Sequence, residues 1–347
     1  MEQGTMQRQI GVGLIGYGLA GRAFHAPYVA ATPGMALRAI VSRDAAKVRA
    51  DLPDIAVAPD VAALLDRDDI DLVIVASPDE LHAEHALAAL ASGRHVLIDK
   101  PFATTLADAR RIAAEGEARG RIVTVFHNRR WDADFRTLRR LIAEGELGEI
   151  VEMESRFDRF RPRPADSWKE ARAAGPWQDL GPHLIDQAIL LFGRPLAVTA
   201  DLATLRAGGP GVDYAQAVLR YADRRVHLHA SKLVASHGLR FVVHGTRGSW
   251  IKYGTDVQEA KTVAGQAPAG EDWGIDPGPG LMTRPEDGPD PTIIANEPGD
   301  YRLFWRALAA AIRGEGDNPV PASAGIAVLE VMEAGLRSAA ERREILL

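Results

Sequence analysis

An apolar run from Ile10 to Ile15 leads directly into the motif Gly16-x-Gly18-x-x-Gly21, and this junction constrains the fold more than any other stretch of the chain. The run predicts a buried parallel strand, and a helical pattern follows the glycines. In such a unit the first glycine permits a tight turn, the second lets the backbone approach a pyrophosphate, and the third lets helix and strand pack closely. The motif therefore predicts a dinucleotide site rather than a glycine turn that binds nothing. Its residues are Gly16, Tyr17, Gly18, Leu19, Ala20 and Gly21.

Strand and helix patterns alternate from this motif to residue 126. Apolar runs at Met35–Val41, Asp71–Ala76, His95–Ile98 and Ile122–Phe126 are separated by segments with helical periodicity. Such alternation predicts a doubly wound parallel sheet, in which ligands bind outside the carboxyl ends of the strands. The residues that follow these strands are therefore candidates: Ser42 and Arg43, Ser77 and Pro78, Asp99 to Pro101, and His127 to Arg130.

The pattern changes after residue 130, and a chain of 347 residues is long enough for two domains. We predict an α/β dinucleotide-binding domain at 1–128 and an α+β domain for substrate binding and oligomerisation at 129–347. From Glu149 onward, short runs of alternating polarity are separated by turn signals, which predicts a large, mostly antiparallel open sheet. Residues 262–298 are rich in glycine and proline, and we expect them to form a long surface excursion.

The residues after the second strand indicate which dinucleotide binds. An NAD site carries Asp or Glu about 20 residues beyond the glycines, and the corresponding positions here are Ser42 and Arg43. A hydroxyl and a guanidinium suit a 2′-phosphate, since Arg offers a charged fork of donors. We therefore favour NADP. The alternative is NAD, if the strand extends far enough for Asp44 to take the place of the acid.

Lys100, Asp179 and His183 are the residues best suited to chemistry. Lys100 follows a buried strand, where its amine can hold the oxygen of an alcohol or carbonyl; the alternative is a surface lysine. Asp179 and His183 are four residues apart and can share a helix face. Pro182 suits a first helical turn, so we expect Asp179 at the helix start, where the positive helix end favours a carboxylate and a neutral imidazole. The alternative is that Asp179 is only the N-cap of the helix and His183 is only a buried polar group with satisfied hydrogen bonds.

These motifs, in this order, resemble the Gfo/Idh/MocA family of oxidoreductases. The family carries an N-terminal GxGxxG, a Glu-Lys-Pro motif after the fifth strand, and an Asp-x-x-x-His pair on a helix of a sheet-based second domain. Here Asp99-Lys100-Pro101 has Asp in place of the usual Glu. The resemblance covers the chain from Ile10 to its end. Stretches such as Phe24-His25-Ala26-Pro27 are similar to a subgroup that contains NADP-dependent scyllo-inositol dehydrogenase.

The resemblance implies hydride transfer between a nicotinamide and a secondary alcohol or ketone of a polyol or sugar. His183 would take the hydroxyl proton, Lys100 would hold the same oxygen and Asp179 would orient the substrate or His183, although the two proton-transfer roles could be exchanged. It also implies a homodimer or homotetramer formed through the open face of the second sheet. Further cofactor residues are Ser77, Pro78, His82, Asp99, Lys100 and, after the last strand, Asn128. The candidates for the substrate pocket are His127, Arg130, Arg159, Trp168 and Trp177.

Composition argues against several other classes of protein. The net charge of −6 disfavours a nucleic-acid surface, even though residues 156–163 hold four arginines. Without cysteine there are no disulfides or cysteine-based zinc sites, and His227 and His229 lack further ligands, so no metal is expected. Neither a signal-like segment nor an apolar run of about 18 residues is present, so we expect a cytoplasmic protein without a membrane anchor. A non-catalytic dinucleotide-sensing regulator and an NAD-linked sugar or aldehyde dehydrogenase stay open as alternatives.

Overall fold

The computed structural model describes residues 8–164, 175–236, 238–288 and 290–347, and its contacts divide the chain into two compact units. The first unit contains the residues up to Asn128, together with Gln258–Trp273 and Asp300–Ile326. The second contains Arg129–Val257, Gly274–Gly299 and Ala327–Leu347. The first unit thus takes in two segments from the later part of the chain.

The first unit is built on a six-stranded parallel sheet. Its strands are β1 (Ile10–Ile15), β2 (Met35–Val41), β3 (Ala56–Ala58), β4 (Leu72–Val75), β5 (His95–Ile98) and β6 (Val123–Val125). They lie in the order β3-β2-β1-β4-β5-β6, and every neighbouring pair is parallel. All residues of β1 and β4 are buried, as expected for strands covered on both faces. This arrangement confirms the predicted doubly wound sheet and brings the carboxyl ends of the strands to one edge.

Helices alternate with these strands. They are a π-helical turn (Ala20–His25) continued by α1 (Ala26–Ala30), then α2 (Ala45–Asp51), α3 (Val61–Leu65), α4 (His82–Ala91) and α5 (Leu106–Ala118). Three of these helices begin with a side-chain cap: Asp44 caps α2, Asp60 caps α3 and Thr105 caps α5. In each case a side-chain oxygen accepts an N–H from the first turn, which satisfies one of the unpaired donors at the helix start. The Thr105 hydroxyl oxygen accepts the N–H of Asp108 at 3.1 Å.

The second unit is built on a nine-stranded sheet. Its strands are β7 (Ile150–Arg156), β8 (Ala197–Ala203), β9 (Tyr214–Arg220), β10 (Arg225–Ser231), β11 (Leu239–Gly245), β12 (Ser249–Tyr253), β13 (Gly280–Thr283), β14 (Thr292–Ile294) and β15 (Ile345–Leu346). Their order is β14-β13-β12-β11-β7-β10-β9-β8-β15. Strands β7 and β10 are parallel, and the other described pairs are antiparallel. The predicted open sheet is confirmed. The expected surface excursion is wrong in part, because β13 and β14 extend the sheet and bury Met282.

The remaining helices are α6 (Ala133–Ala143), α7 (Gly175–Phe192), α8 (Gln258–Val263), α9 (Arg302–Ile312) and α10 (Ala322–Glu341). In the second unit, apolar residues of α6 and α7 share a core with the inward residues of the sheet, among them Phe135, Ile185, Met153 and Phe157. The alternate residues of β7 are more exposed, so one face of the sheet stays outside this core. Within the described ranges, none of the helices has the length and apolar character needed to cross a membrane.

Candidate functional site

The glycine turn lies at the carboxyl end of β1. Gly16 has a φ of +101°, and a Cβ there would overlap the carbonyl group of Ala76, so the turn can pass the end of β4 only with glycine. A Cβ at Gly21 would overlap the carbonyl oxygen of Gly16. A Cβ at Gly18 would meet no atom within 4 Å, and this open space suits the close approach of a pyrophosphate. The turn, which includes Tyr17, Leu19 and Ala20, therefore fits the predicted dinucleotide.

The end of β2 bears on the choice of cofactor. The strand ends at Val41, and the Ser42 hydroxyl oxygen accepts the N–H of Asp44 at 3.1 Å. The Asp44 carboxylate caps α2 by accepting the N–H of Lys47 at 3.0 Å. Asp44 therefore has a structural role outside the strand. The Arg43 side chain is exposed and leaves a guanidinium at the position where a 2′-phosphate is expected.

His82 joins the loops that follow β4 and β5. It is 1% exposed, and its ring nitrogens lie 2.8 Å from the carbonyl oxygen of Pro101 and 3.0 Å from that of Ser77. Pro78 directly follows Ser77 in the loop after β4. Both ring nitrogens thus face main-chain carbonyls, so the side chain that the sequence assigns to the cofactor holds two loops of the site together.

Asp99 and Lys100 follow β5. The Asp99 Oδ1 atom accepts the N–H of Lys100 at 2.8 Å, and the Lys100–Pro101 peptide bond is cis. Burial raises the pKa of the Asp99 carboxyl, but its interactions with His25, and then with Lys100 and His82, outweigh burial and hold that pKa below its ordinary value. The loop therefore carries a carboxylate next to the lysine at neutral pH.

His127 and Asn128 follow β6 and are buried, at 2% and 6% exposure. The glycine turn and the loops at Ser42, Ser77 and Lys100 follow the neighbouring strands of the same parallel sheet. The first unit thus brings the predicted cofactor residues to the carboxyl edge of one sheet, where ligands bind in folds of this type.

In the second unit, α7 carries Asp179 and His183 one turn apart on the same face. His183 is 6% exposed, and the Phe157 ring meets the His183 ring edge-on at a centroid distance of 6.4 Å. The expected helix start is wrong: the described helix begins at Gly175 and Pro182 lies inside it. Asp179 and His183 are therefore interior residues, and the argument from the positive helix end does not apply to them, because that effect fades within one turn.

Three of the predicted substrate-pocket residues are described in the second unit. Arg130 donates to both carboxylate oxygens of Asp186, at 2.8 Å and 2.6 Å, which makes a buried bidentate pair. Trp177 is 1% exposed, and its indole N–H donates to the carbonyl oxygen of Met332 at 3.1 Å. Arg159 is half-buried and donates to the carbonyl oxygen of Asp158 at 3.1 Å. Trp168 lies outside the described residues.

A buried arginine that sequence reasoning missed ties α7 to the sheet. Arg240 is fully buried between the rings of Phe157 and Phe241, with its guanidinium carbon 3.9 Å from each ring centroid. It donates to Asp134 at 3.1 Å and to the Oε1 atom of Gln187 at 2.6 Å. A register shift in β11 between Leu239 and Phe241 departs from the simple alternation on which the sequence prediction relies.

The histidines on β10 have carboxylate neighbours that the sequence did not indicate. The His229 Nδ1 atom lies 2.8 Å from the Asp158 carboxylate, and the His227 Nε2 atom lies 3.5 Å from Glu152. Burial raises the pKa of Asp158, but His229 and Arg156 outweigh burial and hold it below its ordinary value. Across the described part of the chain, no group of three or more His, Asp or Glu side chains is placed to hold a metal ion.

Known proteins share both units. A family model described as "Oxidoreductase family, NAD-binding Rossmann fold" matches residues 10–127, and one described as "Oxidoreductase family, C-terminal alpha/beta domain" matches residues 139–347. The chain is 47% identical to the oxidoreductase YdgJ of Escherichia coli, over 99% of this chain and 100% of that protein. It is 36% identical to IolW of Bacillus subtilis, a scyllo-inositol 2-dehydrogenase (NADP(+)), over 97% and 96%. The solved structure of YPO2259 from Yersinia pestis has a TM-score of 0.96 at 43% identity, over 99% and 98% of the two chains.

Proposed function

Since the chain belongs to the Gfo/Idh/MocA family of oxidoreductases, we propose that it is an NADP-dependent enzyme that interconverts a secondary alcohol of a polyol or sugar and the matching ketone. The carboxyl edge of the first sheet supports this proposal most strongly, because the glycine turn, the Ser42 loop and the Lys100 loop follow strands of one sheet. The similarity to IolW, whose name gives both an inositol substrate and NADP, supports the finer choice.

Residues of the first sheet edge would hold the cofactor. The turn at Gly16–Gly21 would take the pyrophosphate, since Gly18 leaves open space beside the backbone. Ser42 and Arg43 would take the 2′-phosphate, because Asp44 is already engaged in capping α2. When bound, the nicotinamide supplies or accepts the hydride.

The chain's own residues would handle the oxygen and the proton. We assign the Lys100 amine to hold the reacting oxygen and stabilise the negative charge that develops on it. We assign His183 to take the proton from the hydroxyl in oxidation and to return it in reduction. Asp179, on the same face of α7, would orient His183 or the substrate. These three roles follow from the family resemblance and are tested by substitution.

A screen of inositols, keto-inositols and keto-sugars with NADPH and NADH tests the proposed reaction. We expect NADPH-dependent reduction of at least one ketone. His183→Ala should lower kcat by roughly 10²- to 10⁴-fold, the usual contribution of acid–base catalysis, and Lys100→Met should be at least as damaging, with NADPH binding kept. His227→Ala is the matched control, because His227 lies on β10 among the strands of the second sheet.

Each other outcome separates one alternative. NADPH binding without turnover of any substrate would favour a dinucleotide-sensing regulator. Tighter binding of NADH than of NADPH would favour an NAD-linked sugar or aldehyde dehydrogenase. Near-normal kcat in His183→Ala would remove His183 from the mechanism. We also propose a homodimer or homotetramer formed through the open face of the second sheet, and light scattering of the purified chain gives the number of subunits.

A further inference from the structure

His25 is the last residue of the π-helical turn that begins at Ala20, within the glycine motif. Its side chain is fully buried, and neither of its ring nitrogens has a hydrogen-bond partner among the residues that the structure describes. Leaving a polar group buried without such a partner costs free energy. Short π-helical turns inside helices occur often at functional sites. The position of this imidazole therefore requires an explanation other than packing.

Two aromatic rings pack against the imidazole. The Phe126 ring lies 4.6 Å from it and the Trp305 ring lies 5.8 Å from it, measured between ring centroids. The charged group that the imidazole faces is Asp99, whose Oδ2 atom lies 3.8 Å from the His25 Nε2 atom. In such apolar surroundings, water screens the attraction between imidazole and carboxylate only weakly.

Asp99 connects this imidazole to the lysine of the site. One carboxylate oxygen of Asp99 accepts the N–H of Lys100 at 2.8 Å, while the other faces His25. A single carboxylate thus has one oxygen on the backbone of Lys100 and one oxygen toward the helix of the glycine turn. Loss of the imidazole would leave the second oxygen without the ring beside it and allow the carboxylate to rotate.

We propose that His25 is a positioning residue, which acts through Asp99 to fix the backbone of Lys100 and so links the helix of the glycine turn to the lysine loop. The proposal rests on the proposed function in one respect, since the importance of this link depends on the role assigned to Lys100. His25 itself contacts neither cofactor nor substrate in this assignment. Its removal should therefore affect kcat and the environment of Lys100 more than it affects cofactor affinity.

Four variants of the full chain test the link: His25→Leu, His25→Gln, Asp99→Asn and the double variant His25→Leu/Asp99→Asn. A misplacement of about 1 Å can cost a factor of about 10² in rate, so we expect His25→Leu to lower kcat roughly 10- to 100-fold, with the NADPH dissociation constant within about twofold of wild type. His25→Gln keeps an N–H donor and should recover part of the loss. The double variant should be no slower than the worse single variant, because both changes break one link.

A second measurement does not depend on turnover. The rate at which a small acylating reagent labels the Lys100 amine, followed by mass spectrometry, reports the surroundings of that amine. We expect His25→Leu and Asp99→Asn to change this rate by similar factors. Phe126→Leu is the matched control, because it disturbs the packing around His25 without removing the imidazole or the carboxylate, and it should leave the labelling rate unchanged.

Any of three results would overturn the proposal. The first is a wild-type kcat and a wild-type labelling rate in His25→Leu. The second is a double variant whose loss of kcat is the product of the two single losses, and the third is a change of the labelling rate in Phe126→Leu as large as that in His25→Leu. If His25→Leu does not fold, Asp99→Asn and His25→Gln test the same link. Failure of the proposed function has a different signature. In that case Lys100→Met would keep full turnover, while the labelling measurement would still report whether His25 and Asp99 set the surroundings of the lysine.

Discussion

Replacing Arg43 tests the choice of cofactor most directly. β2 ends at Val41 and Asp44 caps α2, so Arg43 lies in the short connection between strand and helix. Its side chain is exposed and makes no ion pair or hydrogen bond with any residue that the structure describes. The guanidinium can therefore bind a phosphate without giving up an existing partner.

The size of the effect follows from what the substitution removes. Hydrogen bonds to charged groups are worth about 1.5–3 kcal/mol. At about 1.4 kcal/mol for each factor of ten, losing one such bond in Arg43→Gln should weaken NADPH binding roughly 10- to 140-fold. NADH has a hydroxyl in place of the 2′-phosphate, so its dissociation constant should change by less than about twofold, since a neutral group draws little energy from the guanidinium.

Fluorescence titration of each variant with NADPH and with NADH gives the two dissociation constants. Arg49→Gln is the control for net charge, because Arg49 is also exposed and lies in the last turn of α2. Asp44→Ala should lower the free energy of unfolding by about 1 kcal/mol through loss of the cap without changing the preference between the cofactors. Equal weakening of NADPH and NADH in Arg43→Gln, or no weakening of NADPH, would refute the assignment of the 2′-phosphate site.

Two further predictions concern stability. Asp134→Ala removes the carboxylate beside the buried Arg240 guanidinium and should lower the free energy of unfolding by about 3–5 kcal/mol. Arg337→Ala, in an exposed ion pair on α10, is the control and should lower it by less than about 1 kcal/mol. Urea titration measures both changes. Burial, and then the charge of Arg121, hold the pKa of His95 below its ordinary value, so below about pH 6.5 the unfolded chain binds the proton more readily and stability falls. His95→Gln should make the urea midpoint depend less on pH between about 7 and 5.

The first sheet could be predicted from the sequence because its strands are buried on both faces. A strand covered on two sides appears as an unbroken apolar run, as in Ile10–Ile15 and Leu72–Val75. Once those runs are placed, the carboxyl edge follows from the parallel topology, and so do the loops at Ser42, Ser77 and Asp99. For this reason the candidate site residues of the first unit could be identified from the sequence.

The start of α7 could not be predicted, because a local rule competes with burial. Proline is common in the first helical turn, and this rule placed the helix start near Asp179. In the structure Pro182 lies inside the helix, where it removes one backbone hydrogen bond. The segment from Gly181 to Ala188 is buried throughout, and most helical stability in proteins comes from such packing. Tertiary contacts of this kind have no signature in a local pattern.

The partners of the buried polar groups could not be predicted either. Alternation along a strand assigns each residue to one face of the sheet. By that rule the side chains of Arg240 and Phe241 should point to opposite faces. The register shift in β11 breaks the rule at this point, and both residues are fully buried. Asp134 lies 106 positions away in the sequence. Periodicity indicates which side chains point inward, but it carries no information about which distant residue each one meets.

These buried groups bear on the proposed role of His183. Apolar packing holds a helix against a sheet but specifies its rotation weakly, whereas hydrogen bonds to fixed partners are directional. Two adjacent residues of α7 make such bonds. Asp186 accepts hydrogen bonds from the Nε and Nη2 atoms of Arg130. Gln187 accepts from Arg240 and donates to the carbonyl oxygen of Arg129 at 2.9 Å. Burying these charges carries a desolvation cost that well-packed apolar residues would avoid. In return, these directional bonds fix the rotation of α7 about its own axis. His183 lies one turn before Asp186, so the same bonds fix the direction in which its imidazole points.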